Sequence, residues 1–367
     1  MYLIFSLLLV IFGIYLFMFF LNLQFGAGVS KKHSLTYAKS KHWKANKFVN
    51  LEKTGMSFTL KSFPGFIKEQ MNKSVQRKPE KNIEIIPFDN LEWNKPSDKA
   101  KFVWYGHSVL LLQIAGKNFL IDPMFGEDAS PIGPIRTKRF SKNSLAVIEK
   151  LPKIDAILFT HDHYDHLDLE SIQLLKGKVD SYFVALGVER HLEHWGIAAD
   201  NIKTFDWWQK IKFENIEITF TPSRHFSGRG LTDRAKTLWG GWVFKTGTEN
   251  IYWSGDGGYG KHFKQIGKEL GPFDIAFMEC GQYNKNWRQI HLHPKESVQA
   301  ALDVMTKKAV PVHWAGFVLA QHSWKEPVER FTKEAERKKL KVLTPKIGQI
   351  ISLEFLKENS LWFKALK

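Results

Sequence analysis

Apolar and polar positions along this chain follow two regimes. From Met1 to Ser30 no charged side chain occurs, and Tyr2 to Leu21 is almost wholly aliphatic or aromatic. About 20 such residues make a helix that covers a hydrocarbon core of roughly 30 Å, so the run predicts a membrane-spanning anchor over residues 1–25. A cleaved signal peptide is the alternative, with Gly26-Ala27-Gly28 as its cleavage region, but the basic n-region and short apolar core of such peptides are missing. From residue 101 onward, strand-like runs alternate with helical spacing. Phe102–Tyr105, Val109–Ile114 and Asn118–Asp122 read as strands around an Ala115-Gly116-Lys117 turn. Further strands are predicted at Ile154–Thr160, Ile216–Pro222, Ile251–Trp253, Ile275–Cys280 and Ala309–Val312. Apolar residues at helical spacing fall at Ser144–Lys150, Leu169–Leu175, Val188–Trp195, Lys261–Leu270 and Pro294–Met305. Alternation of this kind predicts an α/β domain over 101–367. Residues 26–100 read as a basic juxtamembrane segment and extension, with an amphipathic helix at Met56–Met71 and polar, proline-containing loops at Asn72–Glu80 and Asn94–Lys99.

Composition narrows the classes. At 367 residues and 44% hydrophobic, the chain can bury a full core. Its one cysteine, Cys280, excludes an intrachain disulfide and lies in a strand-like run, as a small buried residue does. Net charge is +16, and Lys31, Lys32, Lys39, Lys41, Lys44 and Lys47 precede the first acid after the apolar run, Glu52. Positive-inside reasoning then puts the domain on the cytoplasmic side, beside an anionic lipid surface that such lysines suit. Nucleic acid is the rival partner for this charge. It is not expected, because the chain carries no RNA-binding motif and no further domain.

The chemistry concentrates in Thr160-His161-Asp162-His163-Tyr164-Asp165-His166, directly after an apolar strand. Imidazole and carboxylate are the ligands that zinc takes in hydrolytic sites. His161 and His163 alternate on an extended loop and can reach one ion, while Asp165 and His166 turn toward a second. Three later strand ends each offer one more ligand: His225 after Ile216–Pro222, Asp256 in Ser254-Gly255-Asp256-Gly257-Gly258, and His313 after Ala309–Val312.

This order of ligands resembles the metallo-β-lactamase superfamily. The resemblance implies that His161, His163, His225 and Asp256 hold one zinc ion and that Asp165, His166, Asp256 and His313 hold another, with Asp256 shared. It also implies a four-layer αββα sandwich, here preceded by the membrane helix. Within the superfamily, Asp122-Pro123-Met124-Phe125, Ala129-Ser130-Pro131, Lys138-Arg139-Phe140, Asp206-Trp207-Trp208, Leu238-Trp239-Gly240, Gly271-Pro272-Phe273-Asp274 and His313-Trp314 look like the N-acylphosphatidylethanolamine-hydrolysing phospholipase D family. Gly257 and Ile290 depart from that pattern, where threonine and glutamine are usual.

The expected activity is therefore that of a dinuclear zinc hydrolase, a phospholipase D type phosphodiesterase. It would cleave N-acylphosphatidylethanolamine to phosphatidate and an N-acylethanolamine. Two zinc ions would acidify a bound water to a pKa of about 7. Asp165 and His291 are the expected catalytic residues, His291 as the proton donor to the leaving group. Asp122 and His107 are expected to orient ligand histidines from outside the metal shell, and His293 to cap the Pro294 helix. A lactonase or another small-molecule metallo-hydrolase is the alternative enzyme, and a membrane-tethered lipid or nucleic-acid binder the alternative outside catalysis.

Overall fold

The computed structural model describes residues 2–56, 63–130, 137–356 and 360–366. A short hairpin, β1 (Trp43–Lys44) and β2 (Lys47–Phe48), precedes two seven-stranded sheets. The first sheet takes β3 (Lys101–Trp104), β4 (Leu110–Ile114), β5 (Lys117–Ile121), β6 (Ile154–Phe159), β7 (Val179–Ala185) and β8 (Ile202–Phe205), and closes with β16 (Ile350–Ser352) beside β3. The second takes β9 (Lys210–Phe213), β10 (Ile216–Pro222), β11 (Gly240–Lys245), β12 (Asn250–Trp253), β13 (Ile275–Glu279), β14 (Lys308–Val312) and β15 (Lys341–Val342), in spatial order β15-β14-β13-β12-β11-β10-β9.

The sheets meet face to face through aromatic rings. Phe102 lies 4.9 Å from Phe277, Phe119 5.2 Å from Phe244, and Phe205 5.1 Å from Trp242. Helices cover the outer faces, with Pro294–Asp303 lying on β13 between Glu326–Arg337 and His262–Leu270. Strands covered on both faces must be apolar throughout, which is why β3, β12 and β13 are buried at every position. Edge strand β9, Lys-Ile-Lys-Phe, instead alternates exposed lysines with half-buried apolar residues, a charged edge that resists pairing with another chain.

Each sheet is antiparallel at one end and parallel at the other. Strands β5 to β8 and β12 to β15 run parallel. The loops leaving β5, β6, β10, β12 and β14 carry Asp122, the His161–His166 cluster, His225, Asp256 and His313 respectively, and Glu279 is the last residue of β13. His107, Asp122 and His313 all hold left-handed backbone, at φ 53°, 44° and 67°. Such conformations cost about 1–3 kcal/mol each in non-glycine residues, so the surrounding fold enforces these sharp exits.

The described parts of residues 26–100 include segments docked on the sandwich. Tyr37 Oη donates to Glu189 Oε1 at 2.6 Å, Phe48 N to Ala235 O at 2.8 Å, and Asn50 Nδ2 to His225 O at 2.7 Å. Of the amphipathic helix expected over 56–71, Phe63–Met71 is helical and 57–62 lie outside the described residues. The expected membrane anchor finds no support among the described residues. Tyr2–Leu21 is a helix, but its side chains at 2–4, 14–15 and 17–21 lie outside the described residues. Among the described residues no helix is long and apolar enough to cross a membrane.

Candidate metal centre

The loop after β6 turns sharply, with His166 N and Leu167 N donating to His163 O at 3.1 and 2.8 Å. Asp168 then caps the helix Leu169–Leu175 by accepting from Ser171 N at 2.9 Å. This turn separates two groups of histidines. On one side, His161 Nε2 is 2.9 Å from His163 Nδ1, which is 3.2 Å from His225 Nε2. On the other, His166 Nε2 and His313 Nε2 lie 3.3 Å apart, and His313 Nε2 is 3.2 Å from Asp165 Oδ2. Asp256 Oδ2 sits between the groups, 3.2 Å from His166 Nε2 and His313 Nε2 and 3.8 Å from His225 Nε2. Tetrahedral ligands at about 2.0–2.1 Å from zinc stand about 3.3 Å from one another. The spacings therefore fit a set of donors that converge on cations. All seven residues expected as ligands are brought to this one place.

Bonds on the far side of three of the rings, those of His161, His166 and His225, fix which nitrogen faces inward. His166 Nδ1 donates to Asp122 Oδ2 at 2.9 Å, and His225 Nδ1 to Ile290 O at 2.7 Å. His161 Nδ1 is 2.9 Å from Thr160 Oγ1, which itself donates to Asp122 Oδ2 at 2.7 Å. Partners of this kind lock the tautomer that leaves a lone pair for the metal. The charges agree with that reading. Burial lowers the basicity of His161 and His225, and of His163 to about 4, keeping them neutral as ligands must be. Burial opposes ionisation of Asp165 and Asp256, yet the neighbouring histidines hold both carboxyls well below the usual range. Burial lowers the basicity of His166 and His313 too, but Asp256 and Asp165 outweigh it, holding His166 well above its ordinary value and His313 at about 10.

The remaining expected residues fall as follows. Asp122 is fully buried beneath His166. His107, also buried, meets both a ligand carboxylate and a ligand histidine: its Nε2 is 2.8 Å from Asp165 Oδ2, its carbonyl accepts from His313 N at 2.9 Å, and its ring centroid lies 4.1 Å from that of His313. The left-handed turn at Gly106-His107 brings the ring to the same Asp165 Oδ2 that lies 3.2 Å from His313 Nε2. His291 Nδ1 hydrogen-bonds Glu279 Oε1 and lies 4.0 Å from Asp256 Oδ2. Together with Trp287, Ile290, Leu319 and Phe226 it lines a cavity of about 210 Å³ over the ligand atoms. His293 occupies the N-cap of the Pro294 helix, where Glu296 accepts from its backbone N–H at 3.2 Å. Trp207, Trp239 and Trp242 are buried core, and Cys280 is buried with its thiol pushed up by burial.

Two features were missed in the sequence reading. Glu279, a buried carboxylate at the end of β13, touches both His291 and His313. Its signal was an acid closing an otherwise apolar strand. Arg229, buried behind the metal loop, donates through Nη1 to Asp162 O and Leu167 O at 2.7 Å and through Nε to Gln24 O at 2.9 Å. No local pattern marks it. Asp162, inside the motif, turns away from the ligands to accept from Gly228 N at 2.8 Å, with His191 Nε2 3.4 Å away.

A family model described as a beta-lactamase superfamily domain matches residues 117–314. An uncharacterized protein of Mycobacterium tuberculosis is 42% identical over 250 residues, covering 67% of this chain and 67% of that one. The N-acyl-phosphatidylethanolamine-hydrolyzing phospholipase D 1 of Caenorhabditis elegans is 31% identical over 226 residues, 58% of this chain and 63% of its own length. Among solved structures, a metallo hydrolase of the archaeon Ignicoccus hospitalis shares the fold with a TM-score of 0.55 at 21% identity, covering 70% of this chain and 100% of that one.

Proposed function

This chain belongs to the metallo-β-lactamase superfamily, and we propose that it is a dinuclear zinc hydrolase, a phosphodiesterase of the phospholipase D type acting on N-acylated phosphatidylethanolamine. The observation that supports the metal chemistry is the pair of ligand groups meeting at Asp256 Oδ2. His161, His163, His225 and Asp256 would hold one ion, and Asp165, His166, Asp256 and His313 the other. Two zinc ions there would lower the pKa of a water and neutralise charge on phosphoryl oxygens. The substrate class rests on the likeness to the nematode phospholipase.

The chain's own residues supply the rest. Asp165, steadied by His107, can accept a hydrogen bond from the attacking water and so orient it. Water adds to phosphorus, keeping one proton and losing the other through Asp165 to solvent, the bond to the ethanolamine oxygen breaks with its electron pair on that oxygen, and His291 gives that oxygen a proton that solvent later restores. Phe226, Trp287, Ile290 and Leu319 form an apolar wall that limits access of bulk water to the reacting atoms.

Membrane association belongs to the same proposal, motivated by the uncharged residues 1–30 and the lysines after them. It would place the catalytic domain on the cytoplasmic side. One observation favours a second reading. The cavity of about 210 Å³ is below the roughly 300–1,000 Å³ of a drug-sized ligand site, which suits a lactone or another small ester, whose carbonyl carbon would then be attacked. Zinc-loaded full-length protein assayed against N-acylphosphatidylethanolamine vesicles and a lactone panel separates the two. Release of phosphatidate supports the phosphodiesterase, whereas efficient lactone opening with no phosphatidate replaces it.

A further inference from the structure

Glu279 is the one carboxylate of the site with no part in the chemistry so far. It closes β13, between the strands that end in Asp256 and His313, and its backbone is fixed on both sides. Glu279 N donates to Ser254 Oγ at 3.0 Å, and Cys280 N to Val312 O at 3.1 Å. Its side chain is buried, and among the described residues the basic side chains within ion-pair distance are the imidazoles of His291 and His313. A buried carboxylate needs hydrogen-bond donors, and the fold supplies them. Oε2 accepts from Gly257 N at 2.9 Å and from Leu292 N at 3.4 Å, while Oε1 accepts from His291 Nδ1. Glu279 thus grips His291 by its ring and by the next backbone amide, and ties both to the loop that carries Asp256. Ile290, on the other side of His291, is held through its carbonyl by His225 Nδ1 at 2.7 Å.

We infer that Glu279 is the positioning residue for His291: it keeps a proton on Nδ1 and leaves Nε2 as the nitrogen that serves the leaving group. This rests on the reading of His291 as proton donor. The bond to Nδ1 fixes both the plane of the ring and the nitrogen that works. A ring held only by packing would be free to rotate or change tautomer, and would meet the leaving oxygen in the productive state less often.

Glu279→Gln tests this sharply. The amide oxygen can replace Oε2 and keep both backbone donors, which preserves the fold. Its NH₂ then faces His291 Nδ1 and requires a lone pair there, so the proton moves to Nε2. A neutral ring protonated only on Nε2 can donate a hydrogen bond but cannot release that proton without becoming an imidazolate. Long-range ¹H–¹⁵N spectra of histidine-labelled full-length protein, with zinc present and no substrate, should show His291 protonated on Nδ1 in the wild type and not in Glu279→Gln. On a pair of phosphodiesters, kcat of the variant should fall about 10²- to 10⁴-fold when the leaving group is an alkoxide and under about tenfold when it is 4-nitrophenolate. Because the same Oε1 lies 3.5 Å from His313 Nδ1, zinc content is measured alongside and kcat is compared at full zinc occupancy, where KM should stay near wild type. His291→Ala should show the same pattern, and the double variant should be no worse than either single one.

Wild-type His291 lacking a proton on Nδ1, or losses in Glu279→Gln equal for both leaving groups while His291→Ala discriminates, would overturn the inference alone. A His291→Ala loss that is independent of the leaving group would overturn the proton-donor reading, and this inference with it.

Discussion

Asp122→Asn is the substitution whose effect follows most directly from the geometry. The Asp122 carboxylate accepts three hydrogen bonds: from His166 Nδ1 at 2.9 Å, Thr160 Oγ1 at 2.7 Å and Thr160 N at 2.8 Å. If the asparagine oxygen keeps the bond from Thr160 N, its NH₂ takes the place of Oδ2 and faces two donors. His166 can respond only by shifting its proton to Nε2, the nitrogen that points at Asp256 and His313. A protonated nitrogen cannot bind a metal. A hydrogen bond to a charged group is worth about 1.5–3 kcal/mol, which corresponds to about 10- to 100-fold in affinity, the range found when outer partners of metal ligands are removed. Zinc titration against a competing chelator should therefore show one site weakened by that factor. The His161–His163–His225 group should suffer less, because Asp122 reaches it only through the Thr160 hydroxyl. Circular dichroism should show the fold intact. Zinc affinity within twofold of wild type at both sites would refute this account of Asp122.

Two further outcomes are expected. Arg229 and Arg190 bind the carbonyls of Gln24 and Ala27, and His191 Nδ1 accepts from Ala27 N at 3.1 Å, so residues 22–27 brace the metal loop from behind. A chain beginning at Lys31 should lose on the order of 2 kcal/mol or more from the orphaned buried donors and retain less zinc in thermal-shift and metal assays, while one beginning at Asn22 should match full length; equal stability of the two would contradict the bracing. In zinc-free protein the pH dependence should have two limbs. Burial, first among the causes, pushes His107, His191 and His262 down to about 3 against about 6.5 when unfolded, so the unfolded chain takes up protons first and stability falls below pH 6.5, with up to about 1.4 kcal/mol per pH unit for each. His166 and His313 are shifted upward, His313 to about 10, so their contribution is fully present below pH 6.5 and is lost as pH rises toward 10. Urea melts of chelated protein should peak near neutral pH, and a flat profile from pH 5 to 9 would contradict these assignments.

Much of the sandwich was legible because strands buried on both faces are continuous apolar runs. Ile154–Phe159 and Ile216–Pro222 are read from sequence within a residue of their observed ends. Strand β9 escaped, since an edge strand carrying two lysines looks like surface loop. The ligands were legible because four of them fall within six residues and the rest close apolar runs, while the grouping around Asp256 needed the superfamily resemblance. What stayed hidden depends on distant pairing. Asn50 meets His225 across 175 positions, and Arg229 meets Gln24 across 205. The extension at 26–100 therefore read as a separate segment, although it reaches the metal centre. Glu279 was hidden for a different reason. An acid at a strand end is common on a surface, and only the packing of β12, β13 and β14 shows that this one is buried among imidazoles.

The central claim is a centre of two metals joined at Asp256, and metal content measured together with activity tests it most directly. Purified full-length wild-type protein should retain two zinc equivalents per chain by elemental analysis. Asp256→Ala should keep at most about one and lose hydrolysis, because both ligand groups share its carboxylate. Active wild-type protein holding one equivalent or less, or an Asp256→Ala variant that keeps two equivalents, would contradict the account.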